Sequence, residues 1–156
     1  MNKAEYKELF AEWRQCDSIK RHDEIANRIY HAAVALLKRL NCLYAKYGQR
    51  FVADDDYVED HGYLTLREDR MHDDTITLNY TDSLFNGGDC DINIVIPTDY
   101  LDEWGMTFLE TKLERERVVF LRKEIAGLER TLKCTEKALE ESRTELETLT
   151  ASNREQ

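Results

Sequence analysis

The sequence is short of residues that interrupt helices, and it has no long apolar run. Its 156 residues include one proline and six glycines, so long helical segments meet few breakers. No apolar run approaches the roughly 20 residues that a membrane span requires. Residues 1–15 alternate charges with aromatics and do not resemble a signal peptide. We therefore expect a cytoplasmic protein that contacts no membrane.

Cysteines are few and isolated, and catalytic patterns are missing. Cys16, Cys42, Cys90 and Cys134 form no CxxC pair and no spacing typical of structural zinc. The sequence shows neither a Ser/His/Asp or Cys/His arrangement nor a glycine loop of the kind that binds phosphate. We expect free thiols, no cofactor and no enzymatic activity.

Basic residues are scarce in the middle of the chain. Between Asp54 and Glu103 there are fifteen acids and only two bases, Arg67 and Arg70, which gives this segment a net charge of −13. The rest of the chain, with 20 bases and 17 acids, is close to neutral. The acidic segment coincides with a change from helical to strand-like patterning, so a charge boundary and a fold boundary fall together.

Two helices are predicted before the acidic segment. Tyr6, Leu9, Phe10 and Trp13 recur at spacings of three and four, which predicts an amphipathic helix over Lys3–Gln15. Residues 16–18 offer N-cap candidates for a second helix over residues 19–47, and Gly48 suits its C-cap. The apolar seam of this second helix contains Ile19, Ala26, Ile29, Ala33, Leu36, Leu40, Leu43 and Tyr47.

The acidic segment has the period of two that is typical of strands. Three runs alternate apolar with polar residues and are joined by short turns at residues 69–74 and 86–89, which predicts an antiparallel meander. Phe51-Val52 and Tyr57-Val58 could add a fourth edge strand. The apolar positions are Leu64 and Leu66, then Ile76, Leu78 and Tyr80, then Ile92, Ile94 and Ile96.

A long helix is predicted over residues 107–150. Thr107 and Glu110 have the spacing of a capping box. Leucine and isoleucine then follow a strict four/three spacing, interrupted only by Thr135 and Ser142, and such a seam needs a helical partner. A homodimer through this helix is expected, and the residues assigned to oligomerisation are Leu121, Ile125, Leu128, Leu132, Leu139, Leu146 and Leu149.

The predicted fold class is α+β. We expect long antiparallel helical coiled-coil arms with a small three- or four-stranded antiparallel β meander at the tip. The predicted domains are a helical arm at residues 1–48, an acidic β head at residues 49–105 and a coiled-coil helix at residues 106–156.

The favoured function is that of a non-enzymatic interaction module whose acidic head binds a basic protein surface. Clustered carboxylates steer basic partners at long range and repel nucleic acid, although they could also mimic its backbone in a protein's binding groove. The alternative is a structural coiled-coil assembly or a chaperone. The residues assigned to partner binding are Asp54, Asp55, Asp56, Glu59, Asp60, Asp73, Asp74, Asp89 and Asp91.

A metal-dependent hydrolase is a further alternative. Such an enzyme would use histidine and aspartate side chains on neighbouring turns. Their spacing reproduces neither HExxH nor a calcium loop, so ordinary solvated turns are the favoured interpretation and no metal is expected. The residues concerned are His61, Asp69, His72, Asp73, Asp74, Asp89 and Asp91.

Residues 92–104, INIVIPTDYLDEW, followed by a charged coiled coil, resemble small uncharacterised bacteriophage proteins in which a strand ends in an Ile-Pro-x-x-Tyr-Leu turn. The resemblance implies a phage or mobile-element origin and a role in binding and disabling host machinery. It transfers no functional residue. Prefoldin is similar in outline, with a β head between coiled-coil arms, but its heads are hairpin-based oligomerisation units.

Overall fold

The computed structural model describes residues 1–52, 62–82 and 90–152. Its contacts divide the chain into two compact units, Met1–Glu114 and Arg115–Gln156. The described residues form three α-helices and a three-stranded antiparallel sheet. The predicted α+β class is therefore confirmed.

The first helix, α1, spans Lys3–Gln15 as predicted. A capping box starts it, because the Asn2 side chain accepts the Glu5 N–H while the Glu5 carboxylate accepts the Asn2 N–H. Its apolar face buries Tyr6, Leu9 and Phe10.

The second helix, α2, spans Ile19–Lys46, between a Ser18 N-cap and Gly48, which adopts the positive φ of 69° that favours glycine. The predicted seam is wrong at Ile19, which is 82% exposed. The buried face is also wider than a coiled-coil seam, which fits packing against a sheet. It contains Ile25, Ile29, Ala33, Leu36, Leu37 and Leu40.

The sheet contains β1 (Gly62–Leu66), β2 (Thr75–Asp82) and β3 (Cys90–Pro97), in that order. β2 is therefore central, and each neighbour pairs with it antiparallel, with Leu78 opposite both Leu66 and Ile94. Phe51 and Val52 lie outside the strands, and Tyr57-Val58 lies outside the described residues. A fourth strand is thus not found in the described part of the chain.

One apolar core lies between this sheet, α1, α2 and the first turns of the third helix. The polar face of β2 is also buried, since Thr77 is 2% exposed, and Asn79 and Thr81 are 7% exposed each. These polar side chains therefore do not point to solvent. The Thr77 hydroxyl donates to the carbonyl of Arg70 in the β1–β2 connection.

The third helix, α3, spans Glu103–Ser152 and begins four residues earlier than predicted. Thr107 lies inside the helix, where its hydroxyl donates to the Glu103 carbonyl at 2.9 Å, so the predicted capping box is wrong. The first intrahelical bond runs from the Met106 N–H to the Asp102 carbonyl at 3.1 Å. Met106, Leu109 and Leu113 are buried in the core of the first unit.

Ion pairs show the direction in which α2 and the start of α3 run. Arg39 pairs with Glu103 at 3.3 Å, and Lys46 pairs with Glu110 at 2.6 Å. Each position advances by seven residues from one pair to the next, so the two segments run in the same direction. The predicted antiparallel pairing of these helices is therefore wrong here. The three strands β1, β2 and β3 separate α2 from α3 in the chain, so α3 does not simply reverse the direction of α2.

Candidate interaction surfaces

The turn of residues 72–75, which leads into β2, is held by bonds from distant parts of the first unit. The buried Tyr6 hydroxyl donates to the carbonyls of His72 at 2.7 Å and Thr75 at 3.2 Å. The Thr98 N–H donates to the Asp74 carbonyl at 2.8 Å, and the Thr98 hydroxyl to the Asp73 carbonyl at 3.3 Å. Thr98 thus anchors this turn.

Because backbone groups make these bonds, the side chains of Asp73 and Asp74 remain exposed. Neither carboxylate forms a hydrogen bond or an ion pair with another residue in the described part of the chain. We call residues 72–75 the acidic turn.

The Tyr6 anchor predicts a measurable pH dependence. Burial first, and then the carboxylates of Asp73 and Asp74, raise the pKa of the Tyr6 phenol. The phenol of a tyrosine in the unfolded chain has a pKa near 10. The unfolded state therefore loses its proton first, and stability is complete below about pH 10 and falls as the pH rises above it.

We expect Tyr6→Phe to lower the free energy of unfolding by about 1–2 kcal/mol at neutral pH, because the phenol proton that the two carbonyls share is lost and both carbonyls lose that donor. The variant should also lose the part of the alkaline destabilisation that Tyr6 contributes. Urea titrations at neutral pH and at alkaline pH measure both effects. An unchanged alkaline slope in the variant would contradict the assignment of Tyr6 as the responsible group.

A cleft of about 660 Å³ lies between α1 and the acidic turn. Phe10, Trp13 and Met71 form its apolar floor. The rings of Phe10 and Trp13 stack with centroids 5.8 Å apart, and the Arg14 guanidinium carbon lies 5.8 Å from the Phe10 centroid. The cleft therefore combines an aromatic floor with charged groups, since Arg14 and the acidic turn also line it.

Several acids of the charged segment are neutralised within the first unit. The Lys3 ammonium forms an ion pair with Asp99, and the backbone N–H of Lys3 donates to the Asp102 carboxylate at 3.0 Å. Arg67 pairs with Asp69 at 3.0 Å, and this hydrogen bond lowers the pKa of the Asp69 carboxyl. Since Glu103 pairs with Arg39, the acidic surface is smaller than the sequence alone suggests.

The structure brings together two of the residues assigned to partner binding, Asp73 and Asp74. Asp91 lies in β3 opposite Thr81. The others, Asp54, Asp55, Asp56, Glu59, Asp60 and Asp89, lie outside the described residues.

Sequence reasoning missed the side of the cleft that α1 supplies. The available signal was the pair Phe10 and Arg14, four residues apart on one helix and therefore neighbours on its surface. Nothing local connects this pair with the acidic turn, which lies about sixty residues further along the chain.

In the second unit, α3 presents an exposed apolar stripe, which we define as the seven residues assigned to oligomerisation. Thr135 occupies a slot within it, and its hydroxyl is satisfied by the Thr131 carbonyl at 2.9 Å. No described residue of this unit is buried. The exposed fractions are 39% for Leu121, 54% for Ile125, 69% for Leu128, 60% for Leu132, 53% for Leu139, 63% for Leu146 and 58% for Leu149.

The described residues contain neither a metal-ligand cluster nor a membrane-spanning helix. Within residues 1–52, 62–82 and 90–152, no three His, Cys, Asp or Glu side chains gather as metal ligands; His61 and Asp89 fall outside these ranges. None of the helices formed by the described residues has an apolar stretch long enough to cross a bilayer.

Comparison of the chain with protein-family models, with curated proteins and with solved structures finds no match.

Proposed function

We propose that the protein is a non-enzymatic interaction protein. It pairs with a second copy of itself through the stripe of α3, and its acidic segment binds a basic surface on another protein. The function thus combines self-assembly in one unit with partner recognition in the other.

The observation that carries the proposal is the exposure of the stripe. Each of its seven aliphatic side chains is at least 39% exposed. Complete burial of such a side chain contributes about 1.5–3 kcal/mol, and an isolated helix has no other source of packing energy. A surface that repeats every three and four residues matches the seam of a coiled coil.

A second copy of the chain is the occupant that fits this stripe. The same seam on both chains is self-complementary, as a twofold interface requires. The polar interruptions, Thr135 and Ser142, are small, and the Thr135 hydroxyl is already satisfied within its own helix. Burying this side chain in an interface therefore leaves no unpaired donor.

Recognition of a basic partner is supported by the charge of residues 54–103 and by the carboxylates of Asp73 and Asp74, which form no ion pair with any described residue. Attraction between exposed charges is screened over about 10 Å at 0.1 M salt, so binding through them must weaken in high salt. A metal-dependent hydrolase has no comparable support in the described residues.

Partner recognition is tested by capture from lysate at about 0.05 M and about 0.5 M salt. We expect basic proteins to be captured only at low salt, and we expect the triple variant Asp54→Asn, Asp55→Asn, Asp56→Asn to lose most of this capture. The control is Glu140→Gln, Glu141→Gln, Glu147→Gln, which changes the net charge equally on the exposed surface of α3.

The control should retain capture. If the Asp54, Asp55 and Asp56 variant captures as much as the wild type, with unchanged helicity by circular dichroism, recognition through the acidic segment is wrong. Salt-resistant capture would also contradict the proposal.

A further inference from the structure

We propose that the cleft between α1 and the acidic turn binds one arginine side chain of the basic partner. This inference rests on the proposed function, because it names the group that the acidic segment recognises. The guanidinium would lie on the aromatic floor and donate hydrogen bonds to the carboxylates of Asp73 and Asp74.

Charge pairing leaves the acidic turn available to a cation. Asp69, Asp99 and Glu103 each form an ion pair within the chain. Asp73 and Asp74 line the cleft, and neither carboxylate forms an ion pair with a described residue, although Lys3, which pairs with Asp99, lies close enough to attract Asp74. Two adjacent exposed carboxylates can accept the fork of N–H groups that a guanidinium presents.

The floor of the cleft is apolar and aromatic. Phe10 is 4% exposed and Met71 is 5% exposed, so the partly exposed Trp13 supplies more of the accessible aromatic surface than Phe10 does. The Trp13 ring stacks with that of Phe10, and the chain's own Arg14 guanidinium already lies over the Phe10 ring. A planar cation gains more from such a surface than a compact ammonium does, which favours arginine over lysine.

The acidic turn is held rigidly by the rest of the first unit. The Tyr6 hydroxyl and the hydroxyl and N–H of Thr98 donate to the carbonyls of residues 72–75, and none of these bonds involves a carboxylate. The turn is therefore fixed before a ligand arrives. Little conformational entropy is lost in presenting Asp73 and Asp74 to a cation.

The charge of Arg14 distinguishes a cationic ligand from an anionic one. It lies at the cleft without an ion pair to any described residue, and its charge would repel an incoming guanidinium. Replacing it with glutamine should therefore strengthen the binding of a cation. If the cleft instead bound an anion through Arg14 and His72, the same change would weaken binding.

The experiment uses the full chain labelled with ¹⁵N and titrated with N-acetyl-argininamide, with the uncharged isostere N-acetyl-citrullinamide as the control probe. The chain has two tryptophans, Trp13 and Trp104. Trp13 lines the cleft, whereas Trp104 is 73% exposed on α3 and serves as the internal reference. We expect a saturable shift of the Trp13 indole N–H signal with the arginine probe only.

Three variants complete the experiment. Asp73→Asn with Asp74→Asn should lower the affinity for the arginine probe by about tenfold, since charge-assisted hydrogen bonds are lost. Arg14→Gln should raise that affinity by a few-fold. Glu8→Gln with Glu114→Gln, which removes two exposed acids that do not line the cleft, should leave the affinity unchanged.

No saturable shift at Trp13, an equal shift with the citrulline probe, or weaker binding by Arg14→Gln would each overturn the proposal. None of these outcomes bears on capture through residues 54–56, so the proposed function can survive the failure of the cleft. The acidic turn is held by backbone bonds, so the Asp73 and Asp74 variant is expected to fold, and its spectrum shows whether it has.

Discussion

Gly105→Ala is expected to lower the free energy of unfolding by about 3 kcal/mol, although alanine is the better helix former. A Cβ at Gly105 would lie 2.0 Å from the Asp99 carbonyl oxygen and 2.6 Å from its carbon. These are backbone atoms of the 3-10 turn Thr98–Leu101, so no flexible side chain can move aside. The start of α3 would have to shift away from that turn.

Gly127→Ala is the matched control on the same helix. Apart from the adjacent residues and backbone of its own helix, no atom lies within 4 Å of a Cβ placed there, so the substitution should stabilise α3 by up to about 1 kcal/mol through helix propensity alone. Thermal unfolding of both variants measures the contrast, and the Gly105→Ala midpoint should fall by about 10 °C. A Gly105→Ala variant as stable as the wild type would show that the close approach to Asp99 does not exist.

Replacing both Leu128 and Leu132 with glutamate is expected to dissociate the protein into monomers. The two leucines are 69% and 60% exposed in the single chain and lie at the middle of the stripe. Pairing would place the new carboxylates in a desolvated seam, which costs several kcal/mol and weakens the dimer by about a thousandfold or more. Helicity at 222 nm should fall too, because the second unit loses its packing partner.

Ala126→Glu with Thr144→Glu is the control for this pair. It adds the same two charges to α3 outside the stripe, where both positions are exposed. This variant should remain dimeric, as judged by light scattering after size exclusion. If both double variants dissociate, repulsion between charged helices rather than loss of the seam explains the result.

The first two helices and the three strands could be predicted from the sequence, because the residue patterns that specify each of them lie within or next to the element itself. The spacing of apolar residues and the Ser18 and Gly48 caps predict α1 and α2, and alternation predicts the three strands. Pro97 ends β3 as expected, since proline removes the N–H that the next ladder bond would need.

The relative direction of helices could not be predicted, because an apolar period is the same for parallel and antiparallel neighbours. Only the ion pairs of Arg39 and Lys46 with α3 establish the direction. The early start of α3 was missed for a related reason: Gly105 resembles a helix breaker, and its close approach to Asp99 becomes visible only in three dimensions. The cleft likewise depends on contacts such as Tyr6 to His72, which are 66 residues apart.

Sedimentation equilibrium of the unmodified protein at micromolar concentration measures its self-association without any substitution. Pairing of two α3 stripes should give a mass of twice the 18.4 kDa of the chain. A mass of 18.4 kDa at that concentration, with α3 still helical, would contradict self-association and leave the stripe without the partner that we assign to it.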